Sequence, residues 1–265
     1  MPDRYKIHPS KKLGQNFLVD KGTVKKVINA AHIEPKDVIL EVGPGLGALT
    51  KQLAKKAKIV IAVEKDPKMV AILSKTLKDY KNVRVINGDI LKIDVKYYIP
   101  DSKYKVVANL PFYLTAPVIR KFLESGNTPG EMTLVVQKEV GQRICVKIPD
   151  MNILAVSVQF YAKAKIIDYI SKKSFWPQPK VDAAIIKITP LKRVLRIDPS
   201  KFFRVVKAGF SQPRKQLINN LSKKLKLSRA KVENWLKKNS MQPSQRAETL
   251  TVKDWINLTK SIKIE

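Results

Sequence analysis

Between Asp37 and Val140 short apolar runs and amphipathic segments take strict turns, and that order limits the fold more than any other feature of the chain. "DVILEVG" (37–43), "KIVIAVEKD" (58–66), "VRVING" (83–88), "KYKVVANL" (103–110) and "MTLVVQKEV" (132–140) have the length and β-branched content of buried strands. Between them, "LTKQLAKKA" (49–57), "PKMVAILSKTLKDY" (67–80) and "APVIRKFLES" (116–125) show helical spacing, with Pro67 suited to a first turn and Gly126 to a stop. A helix is also predicted in "DKGTVKKVINAAHI", from Val24, Val27, Ile28 and Ala31, with Asp20 as its N-cap. The alternation implies an α/β, Rossmann-like fold: a mostly parallel sheet with helices on both faces and ligands beyond the carboxyl ends of the strands. "KIIDYIS" and "AAIIKIT" follow each other with no helix between them, which predicts two added antiparallel strands.

Past Pro190 the pattern changes to four short helical segments with charged faces, "FFRVVKAGF", "KQLINNLSKKL", "RAKVENWLKKN" and "TVKDWINLTKSI". The expected division is therefore a large domain over 1–190 and a small all-helical one over 191–265. Charge marks the same division. The whole chain carries 52 Lys plus Arg against 22 Asp plus Glu, a net +30, and residues 191–265 alone hold 19 basic and 5 acidic side chains. A lysine-rich source would raise both numbers, but the concentration in the tail points to a polyanionic partner, and the tail reads as an RNA-binding module. No apolar run of eighteen residues and no signal-like start is present, so a cytoplasmic protein with no membrane partner is expected. One cysteine, Cys145, rules out an internal disulfide, and His8 and His32 stand apart without cysteines. No metal site is predicted, and zinc or Ser-His chemistry is disfavoured.

Three stretches at the predicted strand ends carry the chemistry. In "EVGPGLGALT" (41–50), Gly43, Gly45 and Gly47 let the backbone pass close to a ligand, and with Ala48 the turn also satisfies G-x-G-x-x-A. Glu64 ends the second strand 21 residues after Gly43, where a carboxylate can accept both hydroxyls of a ribose. Asp89 ends the third. NAD and S-adenosylmethionine both contain a ribose, so these residues do not choose between them.

"NLPF" (109–112) ends the fourth strand at the same sheet edge. An adenine amine is a weak nucleophile because its lone pair is delocalised into the ring. Removing a proton first helps little, but hydrogen-bond acceptors can turn the lone pair outward. The Asn109 side-chain oxygen and the Leu110 carbonyl could take the two amine hydrogens; Pro111 fixes φ and offers no N–H; Phe112 presents a face for a flipped base.

At this point the sequence resembles the S-adenosylmethionine-dependent small-subunit ribosomal RNA adenine dimethyltransferases, over nearly its whole length. "KKLGQNFLVD" (11–20) looks like that family's N-terminal signature, which implies cofactor contacts from Asn16 and Leu18 in a segment covering the cofactor. "EVGPGLGALT" is similar to its glycine loop, Glu64 to its ribose ligand and Asp89 to its adenine-reading acid, with Lys65 and Ile90 beside them in the same implied site. "NLPF" resembles its catalytic motif. "SFWPQPKVDAA" (174–184) resembles the segment whose aromatic, here Phe175, faces the target base opposite Phe112. "FSQPRKQLINNL" (210–221) resembles its basic C-terminal motif, with Arg214 and Lys215 as phosphate ligands at a helix start. Phe112 stands where a tyrosine is frequent in relatives, and Ala183 where a serine is common.

The resemblance implies a class I methyltransferase fold. It further implies dimethylation of two adjacent adenines in the 3′-terminal hairpin of small-subunit rRNA, a role in ribosome biogenesis, and a monomer acting within a precursor particle. Three other readings compete: the large-subunit adenine methyltransferases of macrolide resistance, a non-catalytic assembly or transcription factor, and a nicotinamide dehydrogenase. The tail motif, the intact Glu64, Asp89 and Asn109, and the missing His or Tyr proton relay weigh against them in turn.

Overall fold

The computed structural model describes residues 8–10, 13–100, 103–191 and 197–262; Lys11 and Lys12, which open the N-terminal signature, lie outside them. Contacts divide the chain into two compact units, residues 1–142 with 162–190 and residues 143–161 with 191–265.

The first unit begins with β1 (Phe17–Leu18) and α1 (Lys21–Ala30), whose start is set as expected by Asp20 accepting from the Thr23 N–H at 2.6 Å. Then follow β2 (Val38–Val42), α2 (Ala48–Ala54), β3 (Ile59–Glu64), α3 (Pro67–Thr76), β4 (Val83–Asn87), α4 (Val95–Tyr98), β5 (Tyr104–Asn109), α5 (Thr115–Glu124) and β6 (Glu131–Gln137). α6 (Lys138–Cys145) begins in this unit and ends in the other, where α7 (Ile153–Tyr161) follows. The chain then returns as β7 (Ala162–Ile170), β8 (Phe175–Trp176) and β9 (Ala183–Pro190). The expected strand 132–140 stops at Gln137: the Lys138 N–H bonds the Asp182 carbonyl and the backbone turns into α6.

A seven-stranded sheet runs in the order β4-β3-β2-β5-β6-β9-β7. β2 pairs in parallel with β3 and with β5, β3 with β4 and β5 with β6, whereas β9 is antiparallel to both β6 and β7. The chain thus lays β3 and β4 outward from one side of β2, then crosses back to place β5 on the other. Diverging connections on the two sides of β2 open a crevice at its carboxyl end. The inner strands are covered on both faces, which is why they read as near-continuous apolar runs; Ile39, Val60, Val106, Val107 and Leu134 are fully buried, each contributing ~1.5–3 kcal/mol. The edge strand β7 instead exposes Lys163 and Lys165 and carries a bulge between Ile166 and Asp168, both of which discourage further strand pairing.

The second unit consists of α7 with α8 (Pro199–Gly209), α9 (Leu217–Leu225), α10 (Arg229–Lys238) and α11 (Val252–Ser261). The four tail helices stand where their spacing places them. The expected single boundary near residue 190 does not describe the units, because 143–161 joins the tail: Phe160 of α7 stacks on Phe202 of α8 at 4.0 Å and 21°, and Ala155 and Val156 enter the same core. α7 gives no amphipathic signal, being apolar around most of its surface ("ILAVSVQFY"), so periodicity cannot find it. Among the described residues no helix is long and apolar enough to cross a membrane.

Candidate functional site

One pocket opens at the carboxyl ends of β2, β3, β4 and β5, and it gathers every site residue read from the first 190 positions: Asn16, Leu18, Gly43, Gly45, Glu64, Lys65, Asp89, Ile90, Asn109, Leu110, Pro111, Phe112 and Phe175. They come from the segment before β1, the four loops that follow β2, β3, β4 and β5, the ends of β3 and β5, and the two short paired strands β1 and β8, and the strand order brings them together.

The floor is the glycine turn. Gly43, Gly45 and Gly47 have φ of 67°, 56° and 77°, a region that side-chain-bearing residues rarely adopt. A Cβ on Gly43 would meet nothing within 4 Å, so the pocket is open there; on Gly45 it would lie 2.8 Å from Cδ1 of Phe17. Phe17 is held over the turn by β1 pairing with β8, by stacking on Trp176 (6.2 Å, 22°), and by Gln15, whose Nε2 donates to the Asp66 carboxylate at 2.8 Å. The segment before α1 therefore closes one side of the pocket.

Glu64 is 7% exposed, and its two oxygens accept from the Gly45 N–H (3.1 Å) and the Asp66 N–H (2.9 Å). Each oxygen keeps a further lone pair for a ligand hydroxyl. Burial pushes this carboxyl up, and the backbone bonds from Asp66 and Gly45 pull against that rise. Asp89 accepts from Lys65 Nζ at 2.9 Å and from the Leu91 N–H at 3.0 Å. The Lys65 bond, more than any other influence, holds the Asp89 carboxyl below its ordinary value. Lys65 thus acts on the site by fixing Asp89.

Asn109 closes β5, and its Nδ2 donates to the main-chain carbonyl of Asn16 at 2.9 Å. A carbonyl only accepts, so this bond assigns the amide orientation and leaves Oδ1 as the acceptor available to a ligand. Pro111 sits at φ −52° and ψ 134° and leads into a 3₁₀ turn over Phe112–Leu114. Phe112 is half-buried at the pocket wall. Phe175, the expected second face for a base, lines the pocket but is only 5% exposed and shares a core with Leu18, Val24 and Ile170.

Two lining residues lie outside the expected set, Tyr113 and Glu41. Tyr113, next to Phe112, is 53% exposed, and its ring lies beside Gly14. Glu41 opens the glycine motif itself, yet is 1% exposed and, among the described residues, has no hydrogen-bond partner on either oxygen. Burial pushes its carboxyl up to about 8; Thr50 offsets part of the rise without reaching hydrogen-bond geometry with its hydroxyl, and the charge of Glu64 adds to it.

The Glu41 proton has a testable consequence. Because its folded value of about 8 exceeds the ordinary 4.5, the unfolded chain releases a proton across that interval and the folded chain does not, so stability falls as pH rises from 4.5 to 8. Glu41→Gln removes this fall. The melting temperature of the variant relative to the parent is expected to climb steadily between pH 5 and pH 8; parallel profiles would mean that Glu41 is not held protonated.

Arg214 and Lys215 belong to the other unit. They are exposed on the turn just before α9, and the buried Asn220 fixes that turn by donating to the carbonyls of Gly209 and Gln212 (3.0 Å for the latter). Cys145 is half-buried, and burial pushes its thiol up to about 11, so it is not poised as a nucleophile. Among the described residues no group of three or more His, Cys, Asp or Glu could hold a metal.

The pocket suits a ribonucleoside with a polar tail. It has an acidic group for a diol at Glu64, a second acid at Asp89, an open backbone cradle at Gly43, and an amide acceptor at Asn109.

Comparison with known proteins agrees with this geometry. The profile of the ribosomal RNA adenine dimethylase family matches residues 8–263. A ribosomal RNA small subunit methyltransferase A from Dehalococcoides mccartyi (strain CBDB1) is 41% identical over 264 residues, covering 97% of this chain and 90% of the relative. That of Geobacillus kaustophilus is 38% identical over 272 residues, covering 98% and 93%. Among solved structures, a dimethyladenosine transferase from Plasmodium falciparum superposes with a TM-score of 0.76 at 26% identity over 91% of this chain and 95% of that one. The 23S rRNA methyltransferase ErmE gives 0.74 at 24% identity over 93% and 99%, a likeness of fold. The sheet is that of a class I methyltransferase, and the chain belongs to the ribosomal RNA adenine dimethylase family.

Proposed function

We propose that this enzyme uses S-adenosylmethionine to dimethylate the exocyclic amines of two adjacent adenines in the 3′-terminal hairpin of small-subunit rRNA. It acts as a cytoplasmic monomer on a partly assembled particle and so contributes to ribosome biogenesis. The observation that carries the reading is the anchored amide of Asn109, which lines the pocket with its Nδ2 tied to the Asn16 carbonyl and its Oδ1 left as an acceptor.

S-adenosylmethionine, when bound, supplies an electrophilic methyl group. Glu64 would hold the ribose diol, Asp89 and Ile90 the adenine end, and Gly43, Gly45, Asn16 and Leu18 the amino-acid end. Asn109 Oδ1 and the Leu110 carbonyl would accept the two hydrogens of the substrate amine, turning its lone pair toward the methyl group. Pro111 keeps an N–H donor away from that position. Phe112 offers a stacking face worth ~1–3 kcal/mol per base, and the largely buried Phe175 adds an apolar contact to the same pocket. Such orientation needs no base to act before attack. Arg214 and Lys215, on their pinned turn, would neutralise phosphates in the helical unit.

Near-40% identity to small-subunit enzymes along almost the whole chain supports this reading over a large-subunit one. The test compares methyl transfer to a naked hairpin, to protein-free small-subunit RNA and to precursor particles at one salt concentration, with the product mapped as dimethyladenine. A hairpin can fill the pocket but leaves most basic side chains without phosphates, and misorientation costs rate as well as affinity. The particle is expected to be preferred at least tenfold in kcat/KM. Equal values would remove the particle from the proposal, and modification of large-subunit RNA would overturn the choice of substrate.

A further inference from the structure

We propose that a groove lined by Lys138, Lys172 and Lys180 in the sheet-bearing unit is a second RNA subsite, holding the phosphodiester backbone that runs on from the target nucleotide. The inference rests on the rRNA reading and adds to it a surface outside both the pocket and the basic tail.

Topology places the groove. Asn109 ends β5; the neighbouring β6 ends at Gln137, immediately before Lys138; β9 opens at Ala183 opposite Gln137, just after Lys180; and β7 ends at Ile170 opposite Ala183, two residues before Lys172. All three lysines therefore stand at the same sheet edge as the reacting site, one to three strand spacings away, about 5–15 Å. The turn at Lys172–Ser174 leads directly into Phe175 of the pocket wall, so one short stretch of backbone borders both.

The groove is also built. Asp182 clasps two of its lysines through their backbones: its carbonyl accepts the Lys138 N–H at 3.0 Å, and its Oδ1 accepts the Lys172 N–H at 3.0 Å. The Ser174 carbonyl accepts from Val19 and Asp20 (2.9 and 3.3 Å), which ties the same turn to the start of α1. Lys138 Nζ lies 5.3 Å from the ring centre of Tyr169, itself nearly half exposed and able to take a base on its open side.

Charge selects the occupant. Glu139 and Asp182 line the groove as well, yet among the described residues neither pairs with any of the three lysines, while Lys26, Lys65, Lys105 and Lys187 of this unit all hold carboxylates. Three cations left unneutralised beside an exposed aromatic ring match a strand of phosphates and bases.

The test uses the full chain with Lys138→Gln, Lys172→Gln and Lys180→Gln combined. RNA affinity is measured over a salt series on protein-free small-subunit RNA. For every phosphate of a single strand that a lysine no longer neutralises, the slope of log K against log salt becomes shallower by about 0.7, so a change of about 2 is expected, with KM for RNA raised roughly tenfold. Cofactor affinity by calorimetry and the melting temperature should stay at parent values, and the triple Lys→Arg variant should restore binding. An unchanged slope in a triple variant whose parent binds and methylates RNA overturns the groove alone. A parent that neither binds nor methylates RNA overturns the groove and the rRNA reading together. A loss confined to assembled particles assigns the groove to a protein and overturns it as an RNA site.

Discussion

Asn109→Ala is expected to lower the methyl-transfer rate by about 10² to 10³ while the protein still folds and binds its cofactor. Two effects compete in that substitution. The bond from Nδ2 to the Asn16 carbonyl is lost, which costs roughly 0.5–1.5 kcal/mol of stability. The acceptor aimed at the amine is lost as well, and removal of one preorganised group at a reacting centre typically costs about 3–4 kcal/mol in the barrier. The cost to the barrier exceeds the cost to folding, so rate should fall far more than melting temperature. Asn109→Asp sharpens the result. The carboxylate keeps an oxygen but cannot donate to the Asn16 carbonyl, so two acceptors would face each other at 2.9 Å and the side chain must turn away. No rescue is expected. Single-turnover kinetics on small-subunit RNA, with calorimetry for the cofactor, reads both quantities; turnover near that of the parent in either variant would take Asn109 out of the reaction.

Glu64→Ala is expected to weaken S-adenosylmethionine binding by about 10² or more. Hydrogen bonds to a charged group are worth ~1.5–3 kcal/mol each, and the ribose would lose two. The structure adds a cost that the motif does not reveal, since the same carboxylate holds the N–H groups of Gly45 and Asp66, and with them the glycine turn and the cap of α3. Glu64→Gln separates the two contributions: its amide would point a donor at one of those N–H groups, so it should loosen the turn while keeping one good acceptor. An intermediate loss is expected from Gln. Calorimetry showing equal affinity for parent, Gln and Ala would remove Glu64 from the cofactor site.

Several elements were readable because their cause is local. Asp20 caps α1, Pro67 opens α3 behind the capping Asp66, and the positive φ values at Gly43, Gly45 and Gly47 follow from a turn that only glycine tolerates well. Strand type, antiparallel additions and the four tail helices follow from spacing within a few residues. The expected site residues of the sheet-bearing unit also converge, because alternation implies a parallel sheet and such a sheet collects its loops at one edge.

What spacing could not supply is partnership across long stretches of chain. Asn16 and Asn109 are 93 residues apart, and their bond, which sets the amide of Asn109, has no local signature. The same holds for Asp182 binding the backbones of Lys138 and Lys172, and for the burial of Glu41 and Phe175. The assignment of 143–161 to the helical unit depends on Phe160 meeting Phe202 across 42 residues, through a helix too apolar to show a face. Periodicity, caps and turn glycines encode the geometry of each segment; which side chains then meet is set by how the packed segments share one buried volume, and that is a property of the assembled fold.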